Sequence, residues 1–311
     1  MNDACVIGGS RYFGRHLVTR LLAAGVDVTV VNRGSTPVPP GVTHLRADRD
    51  DEDGLRTALG SRSFDVVIDQ VCYTPQQAAV ARRVFAGRTS RYVMTSTIEV
   101  YDPESFAGIA PALPGTPAGE DRLDLLGWPV RLDLPWHDPD FRASHYGEGK
   151  RQAEALFARE TAFAFASVRS GHVLGGGVAD FTGRLDHYVR RIRTGRPVAV
   201  YGTNHRSSFI NYREIADVLF WAAATGVTCP VNARSHGELS ATDICDAIAA
   251  AGVGEPIYTT VQLGAEASPY AFDRYYGMDN SRAERLGFTF SDTADWLPDV
   301  IAEAISNEKG P

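Results

Sequence analysis

The chain has 311 residues, of which 44% are apolar and 22% charged, with a formal net charge of −7. Such usage fits an ordinary folded protein, either two lobes or one large α/β domain with a smaller cap, and excludes extended disorder. A net acidic balance gives no general attraction for a phosphate backbone or an anionic membrane, so the expected partner is a small molecule, not nucleic acid or membrane.

Cys5, Cys72, Cys229 and Cys245 are far apart and show no CxxC spacing, so neither a metal site nor a disulfide framework is expected. No 18-residue apolar run occurs, and residues 1–8 lead directly into a strand pattern without a basic, then apolar, leader. A cytoplasmic location is the expectation. The arginines Arg190, Arg191, Arg193 and Arg196 read as a solvated helix face.

In chain order, residues 4–7, 28–31, 65–68, 92–95 and 165–168 are short apolar runs bounded by turn residues, the pattern of buried parallel strands. Between the first two, residues 15–24 place Leu17, Val18, Leu21 and Leu22 on one side, and Gly25 is positioned to end the helix. Repeated βα alternation predicts an α/β fold, a doubly wound parallel (Rossmann) sheet, with a smaller C-terminal substrate lobe. The dinucleotide-binding domain is expected over 1–171 and 208–234, and the substrate lobe over 172–207 and 235–311. Residues 102–142 hold seven of the seventeen prolines and read as an inserted loop, either a surface excursion or a lid.

Three constellations carry chemistry. Gly8-Gly9-Ser10-Arg11-Tyr12-Phe13-Gly14 lies between a strand and a helix, where glycines admit a pyrophosphate close to the backbone and the helix N-terminus attracts its charge. At the end of the second strand stand Asn32 and Arg33. An acid there would repel a ribose 2′-phosphate, whereas Arg33, helped by Arg11, can pair with one, which favours NADP with NAD as the alternative.

The third is Tyr146-Gly147-Glu148-Gly149-Lys150, which opens a helical run with Ser144 available as its N-cap. Spacing of four puts tyrosine and lysine on one face, where the lysine cation is expected to lower the phenol by about 1 to 3 pH units from its usual ~10. Thr95-Ser96-Thr97 ends the fifth strand, at the sheet edge where such folds bind ligands.

Together these residues resemble the extended short-chain dehydrogenase/reductase superfamily, specifically its epimerase/dehydratase-like branch, over nearly the whole chain. The resemblance implies Tyr146 as catalytic acid/base, Lys150 on the nicotinamide ribose, and Thr97, with Ser96 as neighbouring candidate, holding the substrate oxygen. It also implies Asp48 with Arg49 on the adenine side, Gln70, Val71 and Cys72 bordering the cofactor, and a homodimer packed through helices including the one carrying Tyr146. The GGSRYFG turn resembles an atypical subgroup related to plastid stem-loop-binding proteins.

Glu99 resembles the proton-abstracting base of sugar-nucleotide dehydratases, although Ile98 stands where those enzymes often have an acid. Arg206 lies one position before the residue, here Ser207, that would meet a substrate pyrophosphate, and a one-residue shift turns a strand side chain to the other face. His172 replaces a family position near the nicotinamide and could touch substrate, whereas His145 and His187 have no supporting pattern. The leading expectation is an NADP-dependent oxidoreductase acting on a carbonyl or secondary alcohol. The alternatives are a sugar-nucleotide epimerase, dehydratase or decarboxylase with a transiently reduced bound cofactor and, further off, an RNA-binding or regulatory dinucleotide sensor.

Overall fold

The apolar runs form strands because they are buried on both sides. The segment β1 (Asp3–Ile7) is covered at four of its five residues, and β4 (Val66–Asp69) at all four. The computed structural model describes residues 1–103 and 109–307. The first half alternates β1, α1 (Tyr12–Ala23), β2 (Asp27–Asn32), β3 (Thr43–Arg46), α2 (Glu52–Leu59), β4, α3 (Pro75–Phe85) and β5 (Arg91–Thr97), followed by α4 (Pro139–Ser144), α5 (Tyr146–Ala158) and β6 (Ala164–Ser170). The chain then runs through β7 (His172–Leu174), α6 (Arg184–Arg193), β8 (Val198–Tyr201), β9 (Ser207–Asn211), α7 (Tyr212–Ala224) and β10 (Val231–Ala233). It ends with β11 (Glu238–Leu239), α8 (Ala241–Ala250), β12 (Tyr258–Val261), α9 (Ser281–Arg285) and α10 (Thr293–Asn307).

Seven strands form one parallel sheet in the order β10-β6-β5-β4-β1-β2-β3, a Rossmann-like arrangement. The order reverses between β1 and β4, so the crevice for a ligand opens at the carboxyl ends of these strands. Leu17, Val18 and Leu21 of α1 pack with Ile215 and Leu219 of α7 on one face. On the other, Ala81, Val84 and Phe85 of α3 pack with Ala153, Leu156 and Phe157 of α5. A separate cluster joins α6, α8 and α10 through residues such as Tyr188, Ile244 and Ile301.

Three local features differ from the sequence pattern. The first helix begins at Tyr12, inside the glycine turn, and not at residue 15. The strand β3, Thr-His-Leu-Arg, has no fully buried residue and so lacks an apolar signature. Ser144 is not the N-cap of α5: it ends α4, its hydroxyl donating to Asp140 O at 2.9 Å, and His145 takes the cap position without a side-chain bond.

Residues 109–138 fold back onto α5. Trp128 donates to Glu148 Oε1 at 3.3 Å, the Arg131 N–H to Gln152 Oε1 at 2.7 Å, and Trp136 packs over Gly149. Every residue from Gly147 to Phe157 is thereby buried within one chain. Residues 104–108 of the expected lid, and 308–311 of the expected C-terminal lobe, lie outside the described residues. Among the described residues no helix is long and apolar enough to cross a membrane.

Candidate active site

Two cavities of about 490 and 530 Å³ share Tyr12, Phe13, Gln70, Tyr73 and Phe181, so they are halves of one cleft along the sheet edge. The larger half contains the glycine turn. Gly8 and Gly9 have φ of 98° and 75°, a left-handed backbone open to glycine, and a Cβ on Gly14 would collide with Gln70 Oε1. Ser10 and Arg11 extend the turn, and Arg11 bonds Thr36 Oγ1 at 2.9 Å through Nε. Tyr12 departs most from local rules, at φ 48°. Its ring is held by stacking on Tyr212 at 6.2 Å, and it lines both halves of the cleft.

The chemistry of this half fits a ligand rich in acceptors. Buried side-chain N–H groups of Asn32 (Nδ2), Arg49 (Nε, Nη1) and Gln70 (Nε2) have no hydrogen-bond partner, and all three residues line the cavity. Unpaired buried donors are costly, and ribose, phosphate and adenine offer what they lack. The Asn32 carboxamide oxygen is already engaged by Gly34 N at 2.7 Å and by His44, which leaves its amide for a ligand. Arg33 is exposed on the rim beside it.

Asp48 and Val71 line this half as well. Cys72, expected to border the cofactor, is corrected: its side chain lies in the core at 0% exposure and outside both cavities, because the chain turns inward there to start α3. Burial pushes its thiol up to about 12.

The smaller half brings together Thr97, Glu99, Tyr146 and Lys150. Tyr146 shares this half with Thr97 and faces Tyr73 with ring centroids 6.2 Å apart. Lys150 is 1% exposed, donates from Nζ to Thr95 O at 2.8 Å, and sits 4.6 Å from the Tyr73 ring centroid and 5.9 Å from that of Tyr146. Burial pulls its ammonium down to about 8.

The expected lowering of the Tyr146 phenol is corrected: withdrawal from water, followed by Tyr73, raises it above the ordinary tyrosine range. Desolvation outweighs a lysine whose Nζ is directed to a carbonyl. Ser96, the alternative to Thr97, donates to buried Glu154 and belongs to a network with Arg169. Glu99 is pushed up to about 7 by burial and then by Asp102, against Arg274, Arg184 and Arg151.

His172 lines this half with Nε2 unpartnered, stacked on Phe272 at 4.7 Å, and burial and Arg184 push it down to about 3, so the ring is neutral. His145 bonds Phe141 O and His187 bonds Ser268, both through contacts that serve the fold. Ser207 donates to Tyr276 O at 3.0 Å, and Arg206 pairs with Asp243 at 3.0 Å, away from both halves. None of Arg190, Arg191, Arg193 and Arg196 lines the cleft.

Sequence reasoning missed Tyr73, Phe181 and Arg184, which complete the cleft. Only the position of Tyr73 four residues after Asp69 gave a signal, since it continues the loop that borders the glycine turn. Segment 102–142 reaches the cleft at its two ends, Asp102 on the smaller half and Arg142 on the larger.

Residues 4–85 match the family described as the NAD dependent epimerase/dehydratase family. The chain is 31% identical over 135 residues to the 2'-dehydrokanamycin reductase of Streptomyces kanamyceticus, a match covering 43% of this chain and 38% of that protein. It thus spans about two fifths of that relative's length. A chloroplast stem-loop binding protein of 41 kDa from Arabidopsis thaliana is 33% identical over 79 residues, 21% of each chain.

The fold is similar to that of UDP-glucose 4-epimerase from Thermus thermophilus in complex with NAD, at TM-score 0.69 and 19% identity over 99% of both chains. It is similar too to dTDP-glucose 4,6-dehydratase from Bacillus anthracis in complex with NAD, at TM-score 0.75 and 13% identity over 99% of this chain and 98% of that one. These likenesses concern the fold alone. Over residues 4–85 the chain is thus similar to the NAD dependent epimerase/dehydratase family, and its fold is similar to that of these epimerase and dehydratase structures.

Proposed function

We propose that the protein is an NADP-dependent reductase of a carbonyl group on a small metabolite, with Tyr146 as the proton donor. The observation that supports this reading is the placement of the Tyr146 phenol in the smaller half of the cleft together with Thr97 and Lys150, whose Nζ lies 5.9 Å from the Tyr146 ring centroid. In a reduction the phenol gives its proton to the substrate oxygen.

The groups that would hold the dinucleotide are the glycine turn (Gly8, Gly9, Ser10, Arg11, Tyr12, Phe13 and Gly14) around the pyrophosphate, Asn32 and Arg33 at the ribose, and Asp48, Arg49, Gln70 and Val71 beyond. Arg33 on the rim, Arg11 close by and no acid at the end of β2 support NADP over NAD. When bound, the reduced dinucleotide supplies the hydride.

Thr97 Oγ1 and Tyr146 Oη then hold the substrate oxygen, and Tyr146 gives it a proton. Lys150, cationic at neutral pH, steadies the phenolate that remains. The reductase relative supports the direction of the chemistry. Tyr146→Phe is the test: loss of ketone reduction with cofactor binding intact supports the assignment, and near-normal turnover defeats it.

A second reading, net epimerisation, dehydration or decarboxylation of a sugar nucleotide, is favoured by Glu99. Its carboxyl, near 7, could trade a proton with a substrate carbon at neutral pH. Arg206 speaks against a nucleotide-sugar substrate, since it is engaged with Asp243 and the Glu238 carbonyl.

A further inference from the structure

Among the described residues, two cations line the smaller half of the cleft, Lys150 and Arg184. Lys150 is committed to the Thr95 carbonyl. Arg184, the first residue of α6, is exposed to the open cleft, yet its guanidinium stands 5.8 Å from the ring centroid of Tyr270, which is only 4% exposed. The side chain therefore lies along the cleft wall and is not directed out into bulk solvent. Its charge acts on Tyr146, Glu99 and His172, which come from three other parts of the chain and line the same half.

No acid answers that charge. Arg184 enters no ion pair among the described residues, and the two carboxyls of this half are otherwise disposed. Glu99 is pushed up to about 7 by burial, and Asp102 is paired with Arg274 at 3.1 Å. Asp180, four residues before Arg184, accepts from the Thr182 N–H at 2.9 Å and hydroxyl at 2.6 Å. Arg184 does not line the larger half, where the glycine turn would meet the pyrophosphate, so the phosphates of the cofactor are not its partner. Contact with the Tyr270 ring leaves guanidinium hydrogens for an oxyanion.

We propose that Arg184 binds an anionic oxygen group of the ketone, so that the substrate is an oxo acid or a phosphorylated ketone and neutral or amino ketones are disfavoured. This assignment rests on the reductase reading above. An anion anchored at the start of α6 and a carbonyl held by Thr97 and Tyr146 fix a small molecule at two points, which sets the face it presents to the hydride.

Calorimetric titration of the full chain saturated with NADP tests the assignment, using ketones matched in shape and different in charge. The probes are levulinate against its methyl ester, dihydroxyacetone phosphate against dihydroxyacetone, and aminoacetone as the cation. The anionic member of at least one pair is expected to bind about 10-fold tighter than its neutral partner. Arg184→Met should remove that advantage while the neutral ketones and NADP bind as before, and Arg184→Lys, which keeps the charge but loses the fork, should retain part of it. The pair with the larger loss identifies the group as carboxylate or phosphoryl. Equal affinities within both pairs, no binding by any probe, tighter binding of aminoacetone, or an advantage that survives Arg184→Met to within about twofold overturns the proposal. NADPH oxidation with the same ketones reports on the reaction separately: discrimination by charge without turnover of any probe would count against the reductase reading and leave the anion site standing.

Discussion

Glu99→Gln should make the protein more stable at alkaline pH. The carboxyl rises from its usual 4.5 to about 7 in the folded protein, chiefly through burial. The folded state therefore holds this proton more tightly than the unfolded chain between these values, and stability falls as pH rises from 4.5 through 7. A rise of that size corresponds to about 3 kcal/mol in full. Glu99 lines an open cleft, and solvent screening brings the expected effect to ~1–2 kcal/mol. Glutamine mimics the neutral acid and carries no such penalty. Urea unfolding of both proteins at about pH 5 and pH 8 should give a variant gap that opens by ~1–2 kcal/mol toward the higher pH. A gap that stays constant, or widens toward the acid side, would refute the claim that an unpaired carboxyl is held in this site.

Further expectations concern other parts of the cleft. Tyr146→Phe should lower kcat by about 10²- to 10⁴-fold, while NADPH affinity, followed by nicotinamide fluorescence, changes little. Arg33→Ser should weaken NADPH by about tenfold and leave NADH unaffected, by competition titration. Trp136 is 2% exposed and packs edge-on against Phe141 at 5.2 Å and over Gly149, so Trp136→Ala should cost about 3–5 kcal/mol in urea unfolding. A loss below ~1 kcal/mol would mean that residues 109–138 do not clamp α5.

The parallel sheet was legible because strands buried on both faces write themselves as apolar runs, and the glycine turn because a strand-to-helix junction places it. Thr-His-Leu-Arg at β3 was not, since a half-covered edge strand needs no apolar run. In the cleft, Tyr146, Lys150 and Thr97 could be brought together from spacing and strand ends. The ionisation of Tyr146 could not, because a helical i,i+4 spacing says nothing about where the lysine nitrogen points or how much water is excluded. The partnership of Arg49 with Asp69 joins two strand ends twenty residues apart, and only the sheet order reveals it. Residues 109–138 read as a loop from their prolines, yet their tryptophans bind them to α5, a tertiary fact that composition does not carry.

The claim that Tyr146 completes a reduction is tested most directly by following deuterium from 4-deuterated NADPH into product across a panel of keto-sugars and simpler ketones. One deuterium fixed at the carbinol carbon for each NADPH oxidised, abolished by Tyr146→Phe, is the predicted result. Conversion of a sugar nucleotide with no NADPH consumed and no label retained would contradict it.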